Sequence, residues 1–352
     1  MNRVRAVWPA LTPEREAEAW RAAERRLFAE GLTGATDMGL PAAVWRRLVP
    51  LYAEGRMRLP LVGTFTPEPD TEAFLEREGG IATGRLCVDG VKYYADGALG
   101  SRGARLLAPY ADAPGTKGLW LHGPEVLAAA ARQRRAQGLR MVCHAIGDAG
   151  VRAVLDAYAA AGCAPELGWR VEHAQITAAA DVPRFARMGV WASVQTCHAA
   201  SDARMAPERL GEARMTDAYR ARSFLDAGVP LCNGTDFPIE PVSPMRSLAT
   251  AVRRREPPDG PPCRPEEALT REEALLAMTA RAADADGSGA GPGSGAGGLR
   301  RASGAPTGRL DPGAWFDATV LDADPLAVPA EDLARLRVRR TVVRGETVYR
   351  AG

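Results

Sequence analysis

The chain has 352 residues, 46% of them hydrophobic and 25% charged, enough for one large domain with a generous core and a small accessory unit. Its 45 basic and 43 acidic residues are interspersed and leave a net charge of +2, which excludes a basic face for nucleic acid or an anionic membrane and points to small-molecule partners. No apolar run approaches the ~18 residues of a membrane span, and MNRVRAVWPALTPERE has too short an apolar stretch for a signal peptide, so a cytoplasmic protein is expected.

In chain order, a helix is expected to be capped by Thr12, with Pro13 at its first position, and to end near Gly31. The short strand-like run LTGATDMG follows. Further runs appear at LPLVGTF (59–65), VDGVKYYA (88–95), RMVCHA (140–145), WRVEHA (169–174), VWASVQTC (190–197) and VPLCNGTD (229–236). Helical stretches separate most of them: GPEVLAAAARQRRAQG closing on Gly138, DAGVRAVLDAYAAAG opening at Asp148, then DVPRFARMG, TDAYRARSFLDAG and SPMRSLATAVRRRE with Ser243 and Pro244 as start signals. Strands alternating with helices predict an α/β fold with buried parallel strands, and the number of units favours a (β/α)8 TIM-type barrel with seven strands rather than eight. The six cysteines show no CxxC spacing and read as reduced, structural thiols.

Polar residues interrupt these runs at particular places. Only two lysines occur, and Lys92 stands inside an apolar strand, where a charge is expensive. It reads either as a snorkelling or salt-bridged lysine or as a buried amine able to react with carbon dioxide, which a guanidinium cannot do. Lys92 falls in one strand, and His144, His173 and Asp236 end three others. In a parallel barrel the strand C-termini converge on one face, so these four side chains are expected to meet. Imidazole and carboxylate are ligands of hydrolytic zinc sites, whereas a lone strand-end histidine is more often a hydrogen-bonded structural residue.

The motifs GVKYYADGALGSR, HAIGD, EHAQ, SVQTCH and GTDFP, in this order across residues 15–250, resemble the amidohydrolase superfamily, specifically amidohydrolase family 3, the YtcJ-like metal-dependent hydrolases. The resemblance implies a carboxylated Lys92 bridging two divalent metals, zinc being expected, with His144 and His173 on the second metal. It implies Asp236 as ligand and proton shuttle. His198 matches a substrate-facing histidine, although Thr196 replaces the proline usual in that motif. His198, with Gln195, is a candidate for polarising a substrate carbonyl, the alternative for both being a structural hydrogen bond at the barrel rim. His122 is assigned no role.

The family's first strand carries a His-x-His pair for the first metal, and none of His122, His144, His173 and His198 lies two residues from another. The first strand, its pair and the N-terminal half of the accompanying β-sandwich are therefore expected to be absent, through a misplaced gene start or a genuine truncation. The expected organisation is a barrel of strands 2 to 8 over residues 1–283, a Gly/Ser-rich flexible linker over 284–306, and partial β-sandwich strands over 307–352. The implied activity is hydrolysis of non-peptide, amide-type carbon–nitrogen bonds by a metal-activated hydroxide, on one or two ions. A degenerate non-catalytic barrel and a phosphoester hydrolase are the alternatives. The expected partner is a small amide-type molecule, with a homodimer left open.

Overall fold

The structure, a computed structural model, describes residues 11–289 and 305–352. Its strands are β1 (Ala35–Leu40), β2 (Leu61–Phe65), β3 (Ile81–Thr83), β4 (Leu86–Tyr94), β5 (Arg140–Ala145), β6 (Arg170–His173), β7 (Trp191–Val194), β8 (Leu231–Asn233), β9 (Ala318–Leu321), β10 (Val338–Val343) and β11 (Glu346–Arg350). One curled sheet runs β1-β2-β4-β5-β6-β7-β8, every neighbouring pair parallel, with β3 antiparallel on β4. Seven parallel strands in sequence order are the expected barrel strands. Among the described residues nothing pairs with the outer edges of β1 and β8.

The apolar runs form strands because helices cover one face and the curled interior encloses the other, so both faces are dry. All four residues of β7 are buried, as are five of the six in β5. Between β4 and β5 lies the helix Pro124–Gln137, closed by Gly138 in the left-handed conformation (φ 66°). The helix Asp148–Ala160 joins β5 to β6 and buries its Val151, Val154, Leu155 and Tyr158 side against the sheet. Caps fall where their residue types place them. Thr12 Oγ1 accepts from Arg15 N, Ser243 Oγ accepts from Arg246 N, and Thr270 and Glu273 form a reciprocal capping box.

Three expected boundaries move. The run 190–197 is extended only to Val194, because Asn233 Oδ1 accepts Thr196 N at 3.0 Å and Thr196 Oγ1 donates to Ser247 O at 3.0 Å, which turns the chain into the short helix Thr196–Ser201. In TDAYRARSFLDAG only Ala221–Asp226 is α-helical, after Tyr219 takes a left-handed conformation (φ 52°). The helix Ala280–Asp286 enters the segment expected to be a linker, and residues 290–304 of that segment lie outside the described residues. The returning strands form one three-stranded antiparallel sheet, β11-β10-β9. It is tied to the first helix by a small Phe28, Leu59 and Val343 cluster and by Thr341 Oγ1 donating to Phe28 O at 2.7 Å.

Packing is close enough to make single positions decisive. Trp45 is fully buried, donates Nε1–H to Thr64 O at 3.1 Å, and lies so near β2 that a Cβ on Gly63 would sit 2.2 Å from its Cζ2. Gly63→Ala is therefore expected to lower unfolding stability by about 1–3 kcal/mol, as overpacking of a filled core does. Urea denaturation checks this, and an unchanged midpoint would show that Trp45 has room to move.

Candidate functional site

The C-terminal ends of β4, β5, β6, β7 and β8 deliver Lys92, His144, His173, Gln195, His198 and Asp236 to one side of the sheet. All six line one cleft of about 2040 Å³. Its volume exceeds that of an ordinary small-molecule site because it continues between β1 and β8, whose residues Thr36, Asp37, Cys232 and Asn233 also line it.

Three of the side chains come together. The donor atoms of His173, His198 and Asp236 lie within 4.8 Å of one another. His198 is thus in the group, although the sequence placed it toward substrate. His144 stands beside it, its ring centroid 4.6 Å from that of His173 and the planes near perpendicular. Lys92 is buried on β4 with Nζ 5.2 Å from the Tyr94 ring centroid.

Hydrogen bonds fix the histidine roles. His173 Nδ1 is 2.8 Å from Gln195 Oε1, while Gln195 Nε2 donates to Ser193 O at 3.3 Å. The amide orientation is set by that carbonyl, so Oε1 can only accept and Nδ1 carries the proton. His173 Nε2 keeps its lone pair, the arrangement that suits an imidazole ligand. Gln195 therefore stands behind His173 and orients it. His198 Nε2 and His144 Nε2 are both buried without a hydrogen-bond partner. The nearest carboxylates, Asp236 Oδ2 at 3.6 Å and Asp96 Oδ1 at 3.5 Å, make ion-pair distances but not hydrogen bonds.

Desolvation dominates the electrostatics. Burial lowers the His144 pKa to about 3, with Lys92 adding to the effect, and it holds His173 well below the ordinary imidazole value. His198 is lowered by burial too. The imidazoles are neutral at physiological pH, the form that ligates metals. Burial raises Asp236 to about 6 against the opposing pull of Lys92, and depresses Lys92 against the pull of Glu172. The backbone is held in left-handed conformations at His173 (φ 74°), Ala174 (φ 43°) and Asp236 (φ 55°), strain of the kind that collects at functional sites.

Buried nitrogen donors without partners, a carboxylate beside them and an imidazole oriented from behind fit a divalent cation. His173, His198 and Asp236 are the residues that would hold it, with His144 and Lys92 adjacent.

Two carboxylates in the site escaped the sequence. Asp37 on β1 lines the cleft, and burial raises its pKa to about 6 against the pull of Lys92. Asp96 is fully buried and accepts Arg105 N at 2.8 Å, Ile146 N at 3.0 Å and Gly147 N at 2.8 Å. It clamps the loop after β4 to the turn after β5, directly behind His144. Gly147 is required in that turn, because a Cβ there would lie 2.1 Å from Arg105 O. The DG of YYADGALGSR reads as an ordinary turn, and nothing local announces that its carboxylate bonds a segment fifty residues away. His122, assigned no role, brackets the Tyr94 backbone, its Nδ1 lying 2.8 Å from Tyr94 O.

Asp96→Asn keeps the size of the side chain but turns an NH2 group toward backbone donors. Because His144 stands beside the donor group and not in it, divalent-cation affinity is expected to weaken by up to about tenfold, less than the loss seen when a residue behind a ligand is removed. Chelator competition measures this, and an unchanged affinity would mean that His144 needs no such support.

The family model described as "Amidohydrolase family" matches residues 1–349. The chain is 33% identical over 261 residues to the putative amidohydrolase YtcJ of Bacillus subtilis, covering 74% of this chain and 46% of that one. It is 31% identical over 215 residues to an N-substituted formamide deformylase of Arthrobacter pascens, covering 60% of this chain and 37% of the relative. An uncharacterized metal-dependent hydrolase from Pyrococcus horikoshii superposes with a TM-score of 0.76 at 29% identity, covering 91% of this chain and 62% of that structure. The chain spans about half the length of YtcJ and less of the deformylase. The strand order, the strand-end histidines and a match along almost the whole chain converge, and the chain belongs to the amidohydrolase family.

Proposed function

We propose that the protein is a metal-dependent hydrolase of amide-type carbon–nitrogen bonds other than peptide bonds, with zinc as its metal. The observation that carries this is the meeting of His173, His198 and Asp236 beyond the ends of β6, β7 and β8, with His198 Nε2 buried and without a hydrogen-bond partner. Similarity to a relative named N-substituted formamide deformylase supports the bond class. Bound in the site, the divalent ion supplies Lewis acidity toward water and the substrate carbonyl.

The chain's own groups handle the proton. Asp236, as carboxylate, takes a proton on a side-chain oxygen from the attacking water as the carbon–oxygen bond forms, then delivers it to the leaving nitrogen as the carbon–nitrogen bond breaks. Water and amide become carboxylic acid and amine, and Asp236 is regenerated. Gln195 holds the His173 ring through Nδ1 and Asp96 braces the turn behind His144, so the imidazoles do not reorganise during the step. Burial favours the neutral amine of Lys92, the form that adds to carbon dioxide with loss of a proton, and the resulting carbamate would give two more oxygens to the site.

Among the described residues the outer edges of β1 and β8 are unpaired, which favours a second reading, a barrel that binds a metal without turnover. A panel of N-substituted formamides and N-acyl amines decides between them, assayed with the zinc-loaded chain and with a form carrying an added His-x-His strand beside β1. We expect amine release that is strongest in the extended form, lost on chelation, and reduced at least about 10³-fold by Asp236→Asn. No turnover of any substrate in either form would establish the non-catalytic reading.

A further inference from the structure

Beside the candidate metal centre lies a pair of acceptors, on half-buried Asp202 and buried Gln175, that the hydrolytic chemistry does not use. The helix that carries His198 ends on Asp202, whose backbone N donates to His198 O at 2.9 Å. The two residues are therefore one helical turn apart on the same face, roughly 5–6 Å between Cβ atoms. From the neighbouring strand, Gln175 follows His173 by two residues, after the left-handed backbone of His173 and Ala174. Both Asp202 and Gln175 line the cleft.

Their side-chain hydrogen bonds converge on one carboxylate oxygen. Asp202 Oδ2 accepts from Tyr219 O–H at 2.8 Å and from Gln175 Nε2 at 3.0 Å. The carboxylate fixes the amide orientation, because turning Gln175 over would set its oxygen against Asp202. Gln175 is 6% exposed and Tyr219 7% exposed, and Tyr219 is anchored in turn by its N donating to Gln175 O and its O accepting from Arg254 Nη2 at 2.9 Å. Among the described residues, neither Asp202 Oδ1 nor Gln175 Oε1 accepts a side-chain hydrogen bond.

Two oriented acceptors with no donor beside them select a donor from the ligand. The cleft's arginines are engaged elsewhere: Arg170 faces Glu172, Arg309 is paired with Asp284, and Arg85 and Arg344 donate to the carbonyls of Arg58 and Gly84. Arg246, behind the nearby Glu240, is bound by both Glu240 and Glu256. The walls on this side are apolar, from Leu99, Ile146 and Met205, which belong to the same cluster as Tyr219. Burial raises the Asp202 pKa, and a cation would offset that cost.

We propose that Asp202 and Gln175 form a subsite for a protonated amine carried by an apolar group of the substrate, one helical turn from the centre where the carbonyl reacts. The subsite deepens the hydrolase reading and rests on it for the position of the reacting carbonyl. Asp202 is then the specificity-determining residue: amides with an ammonium group are accepted, and those with a carboxylate at that place are rejected.

The test is calorimetric binding of benzylammonium and of its neutral counterpart benzyl alcohol to the zinc-loaded 352-residue chain and to Asp202→Asn. Benzylammonium is expected to bind wild type at least about tenfold more tightly, the advantage of a charge-assisted hydrogen bond, and to lose that preference in Asp202→Asn with bound zinc unchanged. Equal affinities for wild type, no binding of benzylammonium, or a preference that survives the substitution would overturn the proposal. The wild-type comparison decides alone if the variant does not fold. An ammonium preference without turnover of any amide would fault the catalytic reading and sustain the subsite, whereas turnover without the preference would remove the subsite and leave catalysis standing.

Discussion

The burial of neutral imidazole nitrogens without partners governs this molecule. A polar group taken out of water without a hydrogen bond costs roughly 1–3 kcal/mol, and His144 Nε2 and His198 Nε2 are both in that state at the end of the same sheet. Protonation does not relieve the cost, since burial holds His144, His173 and His198 below the ordinary imidazole pKa. A cation shared with Asp236 would relieve it at His198, while His144 Nε2 faces Asp96. The supporting features serve that arrangement: Gln195 commits His173 to one tautomer, Asp96 locks the turn behind His144, and left-handed backbone at His173 and Asp236 sustains positions that unconstrained chain would leave.

Much of this was legible in the residues. Lys92, His144, His173 and Asp236 stand out because charged or ligating groups are rare inside buried parallel strands, and strand ends in such a fold share one face. RMVCHA marks its strand without error, since both faces are dry and the run is bounded by Gly138 and Gly147. What stayed hidden depends on contacts distant in sequence. The end of β7 is set by Asn233 reaching Thr196, thirty-seven residues away, and the importance of Asp96 by amides fifty residues further on. Asp202 looks like a helix terminator until Tyr219 and Gln175 are seen to hold it. His198 was found as a motif residue, but its place in the donor group depends on the short helix that replaces the end of the expected strand.

The sheet's outer edges set the limit of what these described residues accomplish. β1 and β8 both line the cleft, and among the described residues nothing pairs with their outer edges, whose backbone groups a parallel barrel would bond. The chain covers 46% of YtcJ. The donor group described here is assembled from residues at or just beyond the ends of β6, β7 and β8, away from the outer edge of β1.

The central claim is that His173, His198 and Asp236 hold one divalent cation. Anomalous scattering at the zinc edge from crystals of the zinc-loaded protein tests it most directly. The account predicts one peak about 2.0–2.2 Å from His173 Nε2, His198 Nε2 and an Asp236 carboxylate oxygen, the distances of zinc to nitrogen and oxygen ligands. A fully loaded protein with its zinc elsewhere, or with His198 turned away from the peak, would contradict it.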